Sequence, residues 1–296
     1  MTMQALVSAS ELAVLQRRGD VLVVDCRFDL SGPDKGEQAY LEAHIPGAVY
    51  AHLDRDLSDL AKHGLGRHPL PDDEAFSAAL SRWGWRPDLD VIVYDDANAA
   101  LAAARLWWLL RLAGHARVAV LDGGLAAWRA AGLPLDAGEV RRVATTARVV
   151  LDRDDVVGFG ELERRRAAGS LLLLDARAAA RYRGEVEPID PVAGHVPGAL
   201  NRPFSENLGP DGRFKATAQL RREFEDVLAG RAPRDMVHMC GSGVTACHNL
   251  LAMEHAGLAG SRVFAPSWSG WVSDRSRPVA TGINPTGANP TGANPM

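Results

Sequence analysis

The sequence predicts an α/β protein built twice on one plan, each half a mainly parallel sheet flanked by helices. Three observations carry this. Short unbroken apolar runs recur: "VLVVD" (21–25), "VIVYD" (91–95) and "VAVLD" (118–122), then "LLLLD" (171–175), "MVHMC" (236–240) and "SRVFA" (261–265). Such runs suit strands buried on both faces. Between them lie segments with apolar residues at helical spacing and a closing glycine, such as "DDEAFSAALSRWG" (72–84) and "TAQLRREFEDVLAG" (217–230). The motifs also return in the same order. Asp25 precedes His44 by 19 residues and Asp175 precedes His195 by 20; His44 precedes Asp95 by 51 and His195 precedes Cys240 by 45. "LDGGLAAW" (121–128) is then answered by "FAPSWSGW" (264–271). Repeated order at similar spacing argues for duplication, and strand–helix alternation for a parallel sheet.

A chain of 296 residues with 47% hydrophobic and 24% charged residues is long and apolar enough for two buried cores. The reading gives a first domain over 1–138, a polar and weakly patterned linker over 139–150, a second domain over 151–280 and a tail over 281–296. The tail, "TGINPTGANPTGANPM", repeats without an apolar face and is expected to be disordered. A net charge of −4 speaks against a sequence-independent nucleic-acid binder but leaves room for a local basic pocket. No basic segment precedes an apolar one at the N-terminus, so no secretory signal is expected. The most apolar stretch, "LAAARLWWLLRLAG" (101–114), is broken by Arg105 and Arg111 and is too short to span a membrane. Three cysteines make no disulfide framework, which fits a reducing, cytoplasmic setting.

Cys240 follows the run "MVHM" and precedes "GSGVTA". In open parallel sheets, ligands bind beyond the carboxyl ends of strands. Gly241 and Gly243 let the loop curl with its N–H groups turned inward. The helix expected next, ending at Gly257, adds positive potential at its N-terminus. Both effects favour thiolate over thiol, so Cys240 reads as a nucleophile. Cys247, two turns into that helix, and Cys26, after a strand, read as packing residues. A cysteine phosphatase needs an arginine six residues after its cysteine; Ala246 stands there, which leaves no bidentate clamp for a phosphoryl group.

"CGSGVTA" (240–246), the paired D-x-R and H-[IV]-P-G-A segments, "LDGGLAAW" and "SWSGWVSD" (267–274) together resemble the two-domain rhodanese-type sulfurtransferases. The resemblance spans about residues 5–280. It implies two tandem rhodanese-like domains. The second is catalytic; the first has lost its cysteine, and Asp95 stands at the matching position with Asp96 beside it. The implied chemistry is ping-pong sulfur transfer from a small-molecule donor through a Cys240 persulfide. The N–H groups of Gly241, Ser242, Gly243, Val244 and Thr245, with the Ser242 and Thr245 hydroxyls, would stabilise the anionic sulfur. The neutral "GSG" resembles the 3-mercaptopyruvate enzymes, which release pyruvate; a thiosulfate:cyanide sulfurtransferase and a non-catalytic binding module are the alternatives. The acceptor would be cyanide, a small thiol or a thioredoxin-like protein, with no cofactor and no metal.

The resemblance also assigns substrate-binding residues. Arg181 matches the family's first carboxylate-binding arginine, against the plainer reading of a solvated charge. Ile189 stands where a second arginine is usual, leaving Arg183 to compensate. For a Ser–His–Asp relay that would protonate the leaving pyruvate, Ser242 and His44 match, and Asp34 is the nearest carboxylate. The alternative for His44 is a structural histidine of a repeated turn, since His195 holds the same place in the second half. His52, His63 and His68 are expected on the surface.

Overall fold

The computed structural model describes residues 3–283 and contains two five-stranded parallel sheets. The first uses β1 (Leu6–Val7), β2 (Val21–Asp25), β3 (Val49–Tyr50), β4 (Asp90–Tyr94) and β5 (Val118–Leu121), ordered β1-β5-β4-β2-β3. The second uses β6 (Val156–Val157), β7 (Leu172–Asp175), β8 (Leu200–Asn201), β9 (Met236–Met239) and β10 (Arg262–Phe264), ordered β6-β10-β9-β7-β8. The two orders are the same strand for strand, which gives the sequence repeat its structural form. The strands β2, β5, β7 and β9 are buried along their whole length, as their unbroken apolar sequences require.

The helices of the first half are α1 (Ala9–Arg18), α2 (Lys35–Glu42), α3 (Leu53–Asp56), α4 (Asp73–Arg82), α5 (Ala103–Leu112) and α6 (Gly124–Ala130). Those of the second are α7 (Phe159–Ala167), α8 (Ala179–Tyr182), α9 (Thr217–Leu228), α10 (Ala246–His255) and α11 (Ser267–Trp271). No described helix is long and apolar enough to cross a membrane. The apolar stretch around Arg105 is α5, and it is buried because it packs against α10. One apolar cluster joins Leu106, Trp107 and Leu110 of α5 to Cys247, Leu250 and Leu251 of α10. These helices follow the equivalent strands β4 and β9, so the two halves meet through duplicated elements. A helix buried on nearly all sides is mostly apolar, as α5 and α10 are apart from the buried Arg105, His248 and Asn249.

Residues 139–150 contain no helix or strand and run along the first domain, where the Thr145 and Ala147 N–H groups donate to Ser81 O and Ser81 Oγ at 3.0 and 2.9 Å. The tail expected from 281 onward lies, from 284, outside the described residues.

The D-x-R and H-[IV]-P-G-A motifs are fold elements. The Asp25 carboxylate binds Arg27, whose Nη2 donates to Ala43 O at 2.7 Å; in the second half Asp175 binds Arg177, whose Nη2 donates to Gly194 O at 2.7 Å. Each ion pair ties a strand end to the residue before a histidine. His44 stacks on Tyr40 with ring centroids 4.3 Å apart, and His195 stacks on Tyr182 at 3.8 Å. Their Nδ1 atoms bond the carbonyls of those same tyrosines at 2.8 Å.

Candidate active site

Cys240 sits one residue past β9, buried, at the carboxyl end of the central strand of the second sheet. Its N–H donates to Ser267 Oγ at 3.1 Å, and its carbonyl accepts from Trp268 N–H at 2.9 Å. The chain then curls through 241–245 into α10. Gly243 takes φ +78, and a Cβ there would stand 2.3 Å from Ala265 O, so only glycine fits this turn. Among the described residues, none of the N–H groups of 241–245 donates to a protein acceptor. Five backbone donors beside one thiol form a concave site for an anion.

The first domain supplies an internal comparison. Asp95, at the matching place after β4, fills its own loop. Its Oδ1 accepts from Ala97 and Ala99 N–H at 2.9 and 2.8 Å, and its Oδ2 from Leu101 and Ala103 N–H at 3.2 Å each. Burial pushes its pKa up to about 6 although four N–H groups favour the anion. One copy of the cradle thus holds a fixed carboxylate, and the other holds a thiol and unpaired donors.

Two guanidinium groups converge on this loop. A Cβ on Gly241 would lie 3.3 Å from Arg67 Nη2 and 3.7 Å from Arg181 Nη1 and Nη2. Arg181 spends Nε and Nη2 on Glu187, and Nη2 also reaches Asp190 Oδ2 at 3.3 Å. Arg67 donates Nη1 to Asp190 Oδ1 at 2.8 Å. Asp190 therefore holds one arginine from each domain, leaving Arg67 Nη2 and Arg181 Nη1 turned to the loop. The expectation for Arg183 is corrected here: its guanidinium pairs with exposed Glu185. The cation that joins Arg181 is Arg67, from the first domain.

The expected relay is corrected as well. Ser242 Oγ bonds His68 Nδ1 at 2.8 Å, and His68 Nε2 lies 3.3 Å from Asp54 Oδ1. His44 is the structural histidine of its turn, with Nδ1 on Tyr40 O and its Nε2 without a hydrogen-bond partner. Asp34 is exposed at the start of α2 and makes no side-chain cap. His68 and His52 are buried, contrary to the surface expectation, whereas His63 is exposed. His52 caps α3, its Nδ1 accepting from Asp54 N–H at 3.1 Å. Burial lowers the His68 pKa, so the ring is neutral near pH 7, and its hydrogen bond holds the Asp54 pKa down. With Nε2–H toward the Asp54 carboxylate, Nδ1 accepts the Ser242 hydroxyl proton.

Arg105 of α5, fully buried, ties the pieces together. Its Nη1 donates to Gly243 O and its Nη2 to His68 O, each at 3.1 Å. Thr245 departs from expectation: its hydroxyl donates to Ala100 O of the first domain at 3.1 Å and is not turned to the sulfur.

The Rhodanese-like domain family matches residues 8–131 and again 159–274. The chain belongs to the rhodanese-like family. A Pseudomonas aeruginosa relative named "Probable 3-mercaptopyruvate sulfurtransferase" is 49% identical over 95% of this chain and 100% of its own. A Mycobacterium tuberculosis relative, 43% identical over 94% of this chain and 98% of its own, carries a provisional thiosulfate sulfurtransferase name. The crystal structure of the Escherichia coli 3-mercaptopyruvate enzyme superposes with a TM-score of 0.78 at 32% identity, covering 90% of this chain and all of that one. This rhodanese-like chain is a sulfurtransferase.

The sequence reading missed Arg67, His68 and Asp54. A usable signal was present: "GRHPLP" (66–71), ahead of α4, has its counterpart in "GRFKAT" (212–217), running into α9, where Phe214 stands in place of His68, so this histidine is not part of the repeated fold.

Proposed function

We propose that this sulfurtransferase takes sulfur from 3-mercaptopyruvate through a Cys240 persulfide and passes it to a thiol or cyanide. The observation that carries the reading is the combination at one loop: unpaired N–H donors around Cys240, two guanidinium nitrogens at Gly241, and the Ser242–His68–Asp54 chain. The donor carboxylate meets Arg67 Nη2 and Arg181 Nη1, which sets its thiol toward Cys240. The Cys240 thiolate attacks that sulfur. The new S–S bond forms as the donor C–S bond breaks, and the electron pair goes to the carbon, giving the enolate of pyruvate. Ser242 relays the proton of the donor thiol to the neutral His68, whose cation Asp54 stabilises, and the same relay returns that proton to the enolate carbon to complete pyruvate. The loop N–H groups hold the outer sulfur, as their copies hold Asp95. An acceptor thiolate (of a small thiol or a thioredoxin-like protein) or cyanide then attacks the outer sulfur and restores the Cys240 thiolate. The open cradle, set against the Asp95-filled one, favours catalysis over a binding module.

The test is kcat/KM for the two donors. A preference for 3-mercaptopyruvate is expected, and a preference for thiosulfate overturns the donor assignment. Arg67→Met should raise KM for 3-mercaptopyruvate roughly 30-fold, since a charge-assisted hydrogen bond is worth about 2 kcal/mol. Steady-state kinetics check this, and an unchanged KM removes Arg67 from the carboxylate site. The His68 shift also fixes a pH dependence. Its pKa is lowered from 6.5, so the neutral ring that accepts from Ser242 survives below pH 6.5 and is lost as pH falls further. The acid limb of kcat with 3-mercaptopyruvate should therefore lie below pH 6.5, as a pH–rate profile would show.

A further inference from the structure

The repeat places a glycine and a serine at one strained position. After β5 the chain reads Gly123–Gly124–Leu125; after β10 it reads Pro266–Ser267–Trp268. Gly124 has φ +55 and Ser267 has φ +53. In each half the next residue's N–H donates to the residue at the cradle: Leu125 to Asp95 O at 3.0 Å and Trp268 to Cys240 O at 2.9 Å. The backbone geometry is thus shared. In the first half the left-handed conformation falls on the residue type that adopts it freely, and a Cβ on Gly124 would lie 2.3 Å from Asp95 O. In the catalytic half it falls on a fully buried serine. Non-glycine residues persist in this region only where the surroundings hold them, and they collect at functional sites.

What Ser267 adds is its hydroxyl. Oγ accepts the Cys240 N–H at 3.1 Å and donates to Phe264 O at 3.0 Å. It thereby links the backbone of the nucleophile to the end of the neighbouring strand β10. We propose that Ser267 is a positioning residue for Cys240: the strained serine is kept because its hydroxyl fixes the nucleophile's backbone and so the direction of Sγ beneath the donor. It touches neither donor nor acceptor. The inference rests on the reading of Cys240 as the sulfur carrier.

Two variants separate positioning from folding. Ser267→Ala removes the hydroxyl and keeps the strain, so it should lower both Tm and kcat. Ser267→Gly removes the hydroxyl and relieves the strain, so its Tm should recover toward the parent while kcat stays as low as in Ser267→Ala. The expected loss in kcat is roughly ten- to a hundred-fold, the scale of a small misplacement of a reacting group. KM should hold within about twofold, because the carboxylate contacts are untouched. The rate of Cys240 alkylation by iodoacetamide at fixed pH should fall with kcat. A merely structural serine predicts that kcat follows Tm and recovers in Ser267→Gly, and that result, or parental kcat in both variants, overturns the proposal. If Ser267→Ala does not fold, Ser267→Gly still decides through kcat and alkylation rate. Cys240→Ser distinguishes the underlying reading: activity retained there refutes Cys240 as the carrier, whereas activity lost there but intact in Ser267→Gly refutes only the positioning role.

Discussion

Cys240→Ser is expected to abolish pyruvate formation from 3-mercaptopyruvate and to prevent the protein from gaining the mass of one sulfur atom. The reaction needs a soft anionic nucleophile that can also leave when the acceptor attacks. A serine hydroxyl remains protonated near neutral pH and does not form a sulfur–sulfur bond. No other thiol can substitute. Burial pushes the Cys247 pKa up to about 12, and burial together with the charge of Asp25 raises Cys26 well above the usual thiol range. Both stay protonated, and both are closed to solvent. The variant should fold, since it exchanges sulfur for oxygen at one buried atom. Coupled detection of pyruvate and intact mass after donor treatment check the outcome. Pyruvate at the parental rate, or an added sulfur that maps elsewhere, refutes the persulfide assignment.

The second large effect is selective for the donor. His68→Asn should lower kcat with 3-mercaptopyruvate by about 100-fold or more, the range in which positioned acid–base groups act. Thiosulfate turnover should change less than about threefold. Sulfite leaves as a stable anion and needs no proton, whereas the pyruvate enolate does. Ser242→Ala should show the same split. The double variant should lose little more than either single one, since the two groups act as a unit. Equal losses for both donors would show that the Ser242–His68 bond merely holds the loop in place.

Legibility differed between motifs for a physical reason. The Cys240 loop is local: strand, glycine turn and helix start are consecutive, so sequence alone places donors around the thiol. The relay is not local. Ser242 and His68 are 174 residues apart and meet only because the two halves pack through α5 and α10. His68 reads as a surface residue until that packing buries it. Arg67 became visible only through its ion pair with Asp190. His44 misled because it shares a motif with His195, yet that sharing marks it as part of the fold: both copies stack their histidine on a tyrosine.

By itself the sequence determined the duplicated α/β plan, the parallel strands and the glycine-bracketed loop around Cys240, because strand burial, helix periodicity and glycine turns are set by neighbours in the chain. The tertiary structure decided which histidine and carboxylate stand behind Ser242, which second arginine joins Arg181, and why Asp95 closes one cradle while Cys240 leaves the other open. Those depend on the way two domains meet, and the packing of one surface on another is not written in the spacing of residues along either.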